Sequence, residues 1–219
     1  MEEPSFTQRR RGWDIAVALL ALAIASTIWA FGYNESYFIF PDAIDYAQMG
    51  AELREGHGFA TRQIFPMQAP WLQANGYLQN AYWPNLHRFP LPTMAHAAAQ
   101  WIFTNPVTAA IVQGGLWYLL SLPLVFLLAR RCMRLPGALL CTLFAAGEPH
   151  LFENSYMGMG EPLATLILLG AVYVALCGPT RPVAWILLGL LCGLAYLART
   201  NFVYLTPLEI GRASCRERV

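Results

Sequence analysis

The sequence predicts an all-α polytopic membrane protein, and three observations carry that prediction. Apolar residues make up 57% of the chain and charged residues only 12%, far from the average of a soluble domain. The apolar residues gather into long runs, of which 15–32, 107–129 and 162–180 contain no charge. At about 1.5 Å of rise per residue, each is long enough to cross a hydrocarbon core of about 30 Å. Arginines cluster between runs at Arg9, Arg10 and Arg11, at Arg130, Arg131 and Arg134, and at Arg181, as loops on one side of a bilayer do.

Taken in order, the first span is expected at about 14–33. Its apolar run is long, lacks a small-residue cleavage site and is followed by further runs, so it reads as an uncleaved anchor rather than a secretory signal. A long loop, 34–105, comes next. Within it, Pro41 opens a stretch of helical spacing from Asp42 to Glu55 that sets Tyr46, Met49, Gly50 and Leu53 on one face, and Gly56 stops it. This predicts an amphipathic helix lying beside the membrane, with a second one from Thr93 to Phe103. The loop is also rich in aromatic residues: Phe59, Phe65, Trp71, Tyr77, Tyr82, Trp83 and Phe89. Such rings stack on sugars and equally populate membrane interfaces. Further spans are expected at 106–129, 135–152, 162–179 and 182–199, with the start of a sixth running to 208. The closing string Glu209-Ile210-Gly211-Arg212-Ala213-Ser214-Cys215-Arg216-Glu217-Arg218-Val219 is the in-frame translation of a common short-read sequencing adapter. Residues 209–219 therefore read as an artefact, and the natural chain as an N-terminal fragment that is inactive alone.

The positive-inside rule puts the three arginine clusters and the N-terminus in the cytoplasm and the 34–105 loop outside a plasma (inner) membrane. Alternating the spans then brings Asp42, Asp45, Glu148, Glu153, Glu161 and Arg199 to one outer face. Residues 135–147 reach only about 20 Å as a helix, so Glu148 is expected below the outer interface, where an ionisable group points to a site. The alternative is that Glu148 simply ends a short helix before Pro149. Arg199 interrupts an apolar stretch in the same way, either as a site residue or as a side chain reaching for head groups.

Asp42 and Asp45, three residues apart, read both as the capped first turn of a helix and as carboxylates oriented to accept a proton. His57, His87, His96 and His150 lack ligand spacing, so no metal site is indicated. Outside the tail the cysteines are Cys132, Cys141, Cys177 and Cys192, none of them in the long loop, and no disulfide framework follows. Phosphate-binding glycine loops, nucleophile elbows and internal repeats are absent, and no nucleic-acid partner is expected.

Several motifs follow one another in the chain: Asp42 in Asp-x-x-x-Tyr followed by Gly56-His57-Gly58-Phe59, then Arg88-Phe89-Pro90-Leu91-Pro92, Leu127-Leu128-Ala129-Arg130-Arg131, Gly158-Met159-Gly160-Glu161-Pro162-Leu163 and the glycine-rich run ending at Arg199. Their order resembles the membrane-embedded GT-C glycosyltransferases, most closely the protein O-mannosyltransferase and aminoarabinose-transferase type. The resemblance implies a GT-C-like helical domain that moves a sugar, with inversion, from a polyprenyl phosphate to a lipid, glycan or protein acceptor at the outer face. It implies no cofactor beyond the lipid-linked donor. Asp42, at the family's acidic position, is then the base, with Asp45 and Glu161 as its catalytic partners, and Arg199, Arg88, Glu148 and Tyr46 contact substrate. Many relatives carry two adjacent acidic residues at the first motif, whereas here Ala43 follows Asp42. The alternative from the residues alone is a polytopic transporter or lipid flippase whose path is lined by Glu148 and Arg199.

Overall fold

The computed structural model describes residues 6–32, 40–64, 66–77, 82–85, 88–177 and 182–201. The start of the sixth span, the 209–219 tail, Phe65, His87 and Arg181 lie outside the described residues. In chain order the elements are α1 (Phe6–Gly32), α2 (Pro41–Arg54), β1 (Ala60–Thr61), α3 (Ala69–Ala74), β2 (Trp83–Pro84), α4 (Pro90–Ile102), α5 (Pro106–Cys132), α6 (Leu135–Ala146), α7 (Pro149–Tyr156), α8 (Glu161–Cys177) and α9 (Pro182–Ala198).

The fold is mostly helical, as the sequence predicts. Among the described residues, α5 is the one helix that is both long and apolar enough to cross a membrane. Its start is fixed by Asn105, whose side chain accepts from the N–H groups of Val107 (2.9 Å) and Thr108 (3.3 Å), with Pro106 at the first helical position, where no N–H is needed. Arg130 and Arg131 fall in its last turn, where the helix dipole favours cations. The other apolar helices, α6, α8 and α9, are shorter than a full span.

The stretch expected as one span at 135–152 is instead two helices, α6 and α7, with Gly147 and Glu148 between them. Pro149 has no N–H with which to continue α6, and the Glu148 carboxylate starts the next helix by accepting from the N–H groups of His150 (3.2 Å) and Leu151 (2.6 Å).

Helix α2 runs as the spacing predicts: Pro41 sits in its first turn and Gly56, at φ 87°, ends the chain's helical course. The capping expectation is corrected, because the N-cap residue is Phe40 and no side chain caps the helix. Asp42 lies one residue inside the first turn and its carboxylate turns elsewhere.

Helix α2 packs along α4, and α4 packs in turn on α5 and α9. The α2–α4 approach depends on Gly50, where a Cβ would stand 2.8 Å from the Cβ of His96 and 2.9 Å from the backbone nitrogen of Ala97. The two short strands pair antiparallel, Ala60 with Pro84 and Thr61 with Trp83, and tie the loop back against α2. One apolar cluster joins α8 and α9 through Leu163, Ala164, Ile167, Ala195 and Ala198, with Leu91 and Ala95 of α4 laid on it. A second joins Ala25 of α1 to Tyr118 and Leu122 of α5. Helix α4 therefore lies between the α8–α9 core and α2.

Candidate active site at the start of α2

The site is built around Arg88, two residues before the start of α4. Its backbone N–H donates to the Asn85 side chain (2.8 Å), which fixes the approach of the chain. The guanidinium then reaches back to α2, where Nε donates to Oδ2 of Asp45 and Nη2 to Oδ1 of Asp42, each at 2.6 Å. Its carbon also lies 5.5 Å above the centre of the Tyr46 ring, within cation–π range. Burial alone would make the charged guanidinium costly, but the two carboxylates outweigh that and hold its pKa above the ordinary arginine value.

The two aspartates have different surroundings. Asp45 has no exposed surface, and its second oxygen accepts from the Thr61 hydroxyl at 2.9 Å. Thr61 is held by β1 and accepts in turn from the N–H of Gln63. Asp42 keeps 48% of its side chain exposed. A buried carboxylate held from two sides is suited to orient Arg88, and a half-open one held by that arginine is suited to meet a ligand.

Glu161 opens α8 and Arg199 follows the last turn of α9, and the two pair at 2.8 Å. Each is favoured there by the adjacent helix dipole, a carboxylate at an N-terminus and a cation at a C-terminus. Tyr46 feels the charges of both groups. Burial raises its hydroxyl pKa most, Arg88 and a backbone hydrogen bond with Phe89 act against that, and both Glu161 and Asp42 push it further up. The phenol therefore stays protonated. Asp42, Asp45, Tyr46 and Arg88 thus form one group and Glu161 and Arg199 a second, linked by the charge of Glu161 felt at Tyr46, while Glu148 is the cap of α7 and no contact among the described residues joins it to either.

Thr61 and His96 carried no sequence signal: the strand that holds Thr61 is only two residues long, and His96 occupies an ordinary position on the apolar face of α4. A second charged group also escaped sequence reading. Glu52, buried on α2, is bonded to His57 Nδ1 (2.6 Å) and Arg62 Nε (2.5 Å). Burial acts to raise its carboxyl pKa, but these two donors prevail and hold it below the usual range. The ligand-type atoms of Glu52, Glu55 and His57 lie within 4.8 Å of one another and are the described group able to hold a metal, although Glu52 is already balanced by Arg62.

A family model described as dolichyl-phosphate-mannose-protein mannosyltransferase matches residues 88–210, more than half of the chain. The chain belongs to this mannosyltransferase family. No curated protein and no solved structure matches it. The match opens on Arg88 and spans Glu161 and Arg199, whereas Asp42, Asp45 and Tyr46 precede it. Membership assigns the chain to membrane glycosyltransferases of the mannosyltransferase kind and does not favour the transporter alternative.

Proposed function

We propose that this chain carries the acceptor-activating part of an enzyme that transfers a sugar from a polyprenyl phosphate to a lipid, glycan or protein hydroxyl at the outer face of the plasma membrane. The carrying observation is the half-exposed Asp42 carboxylate, held by an arginine that a buried second carboxylate fixes in place. The acceptor oxygen attacks the anomeric carbon and its proton passes to Asp42. The bond from that carbon to the phosphate oxygen breaks, its electron pair leaves with the polyprenyl phosphate, and the anomeric configuration inverts. A phosphate leaving group is weakly basic and needs charge stabilisation more than protonation. Arg199, 45% exposed beside Glu161, is the cation suited to that task. Arg88 is engaged by both aspartates, so its part is to aim Asp42, while Tyr46 supports the guanidinium from below.

In this reading residues 34–105 form an extracytoplasmic loop that lays α2 and α4 over the site, and the N-terminus is cytoplasmic in a multi-pass chain. The test is transfer from polyprenyl-phosphate sugars by the full-length protein in lipid, comparing Asp42→Asn with wild type. A fall of about a hundredfold or more in kcat is expected for loss of a general base. Undiminished transfer rejects Asp42 in that role, and wild-type substrate translocation without transfer rejects the enzyme reading.

A further inference from the structure

His96 is fully buried on α4 and touches both α2 and the turn before α8. Its Cβ packs against Gly50 of α2, and its ring lies nearly parallel to that of Tyr46, with centroids 6.1 Å apart and planes 9° apart. On its far side, Nε2 stands 2.7 Å from the carbonyl oxygen of Gly158, in the turn that leads into Glu161. A carbonyl only accepts, so Nε2 carries the proton and Nδ1 holds a lone pair. Among the described residues, that buried Nδ1 has no hydrogen-bond partner.

A stranded acceptor is unfavourable, and phenylalanine would fill the same space without one. Packing therefore does not account for histidine here, and the polar contribution of the ring is its single bond to Gly158. The turn it grips is close-fitting elsewhere too. Gly158, at φ 66°, lies where a Cβ would meet Ala110 of α5 at 2.6 Å, and Gly160 lies where one would meet Pro92 of α4 at 2.9 Å.

We infer that His96 is a positioning residue that sets the spacing between the Asp42–Arg88–Tyr46 group and the Glu161–Arg199 pair, through its stack on Tyr46 and its bond to Gly158. The inference rests on the reading above, in which both groups serve one transfer reaction. Neither the aspartates nor Glu161 touch His96 directly, so it acts through the two residues it holds. A shift of about 1 Å between reacting groups is enough to cost about a hundredfold in rate.

The experiment uses the full-length protein in lipid and two partial replacements. His96→Phe keeps a ring for the stack and removes the donor to Gly158, while His96→Gln places an amide donor near Nε2 and removes the ring. Sugar transfer gives kcat and KM, and amide hydrogen exchange gives the order of residues 157–161. For His96→Phe the expected result is kcat down by about tenfold to a hundredfold, with donor KM within about twofold and partial recovery in His96→Gln. In a Glu161→Gln background the same replacement is expected to cost less than about threefold, because the two share one function. Losses that multiply in the double variant, or a near-wild-type kcat for His96→Phe, overturn the inference. Exchange at 157–161 is expected to accelerate in His96→Phe while α5 is unchanged, and unchanged exchange also overturns it. If the wild type transfers no sugar, the proposed function fails and exchange alone decides the tether. If His96→Phe does not fold, His96→Gln decides, with faster exchange expected along α2 at an intact 157–161 turn.

Discussion

Arg88 Nε stands 2.6 Å from Oδ2 of Asp45, a carboxylate with no exposed surface, and this pairing joins residues 43 positions apart. It makes Asp45 dependent on Arg88, because a charge buried without its partner is far costlier than the pair. Arg88→Met is expected to destabilise the protein by about 3 kcal/mol or more, read from denaturant midpoints in detergent. Asp45→Asn combined with Arg88→Met is expected to be less harmful than Arg88→Met alone, and equal losses would contradict the dependence. Arg88→Lys will not substitute, since an ammonium lacks the fork that serves both aspartates.

The pair formed by Arg199 and Glu161 is partly exposed, and its effect on stability is expected to stay within about 1 kcal/mol. Its effect on the reaction is different. Arg199→Ala is expected to raise donor KM while acceptor KM holds, and unchanged donor kinetics would count against a phosphate contact.

The buried imidazole of His96 makes stability depend on pH. Burial lowers its pKa from the ordinary 6.5 to about 4, against the small opposing effect of the Gly158 bond. The folded state therefore binds fewer protons than the unfolded chain between those values. The stability present above pH 6.5 falls as pH drops towards about 4, by on the order of 3 kcal/mol. Melting temperatures measured from pH 7 to 4 should show that fall in wild type and a shallower one in His96→Phe. Glu52 adds a loss at lower pH, since its folded pKa lies below the ordinary 4.5 and its contribution disappears as pH falls through it.

Gly50 and Gly158 test the close approaches. Gly50→Ala would drive a methyl to 2.8 Å from His96 and is expected to cost about 1–3 kcal/mol by overpacking. Gly158→Ala adds backbone strain at positive φ to a clash with Ala110 and is expected to cost more. Both losses are read from thermal unfolding, and a Gly50→Ala protein of wild-type stability would show that α2 and α4 separate easily.

The sequence made the helical elements of the loop legible because their signals are local. Pro41 and Gly56 delimit α2, and apolar spacing marks α4, so the placement of Asp42 and Asp45 on a helix within the 34–105 segment could be read directly. The partners of those aspartates could not. Thr61 and Arg88 meet Asp45 across 16 and 43 residues, separations that no periodicity encodes. Glu148 shows the converse case: depth and charge left two readings open, a site residue or the end of a short helix, and the carboxylate instead starts the next helix as the cap of α7. The apolar run at 135–147 and Pro149 marked where α6 stops, but α7, with Glu148, His150, Glu153 and Asn154, has no apolar run of its own to announce it.

The ion pairs at the start of α2 set one guanidinium against two carboxylates, whereas Glu161 and Arg199 pair one to one. In the proposed reading, a phosphodiester is disfavoured beside the first group and tolerated beside the second, so the lipid-linked donor and the acceptor are steered apart by charge before contact.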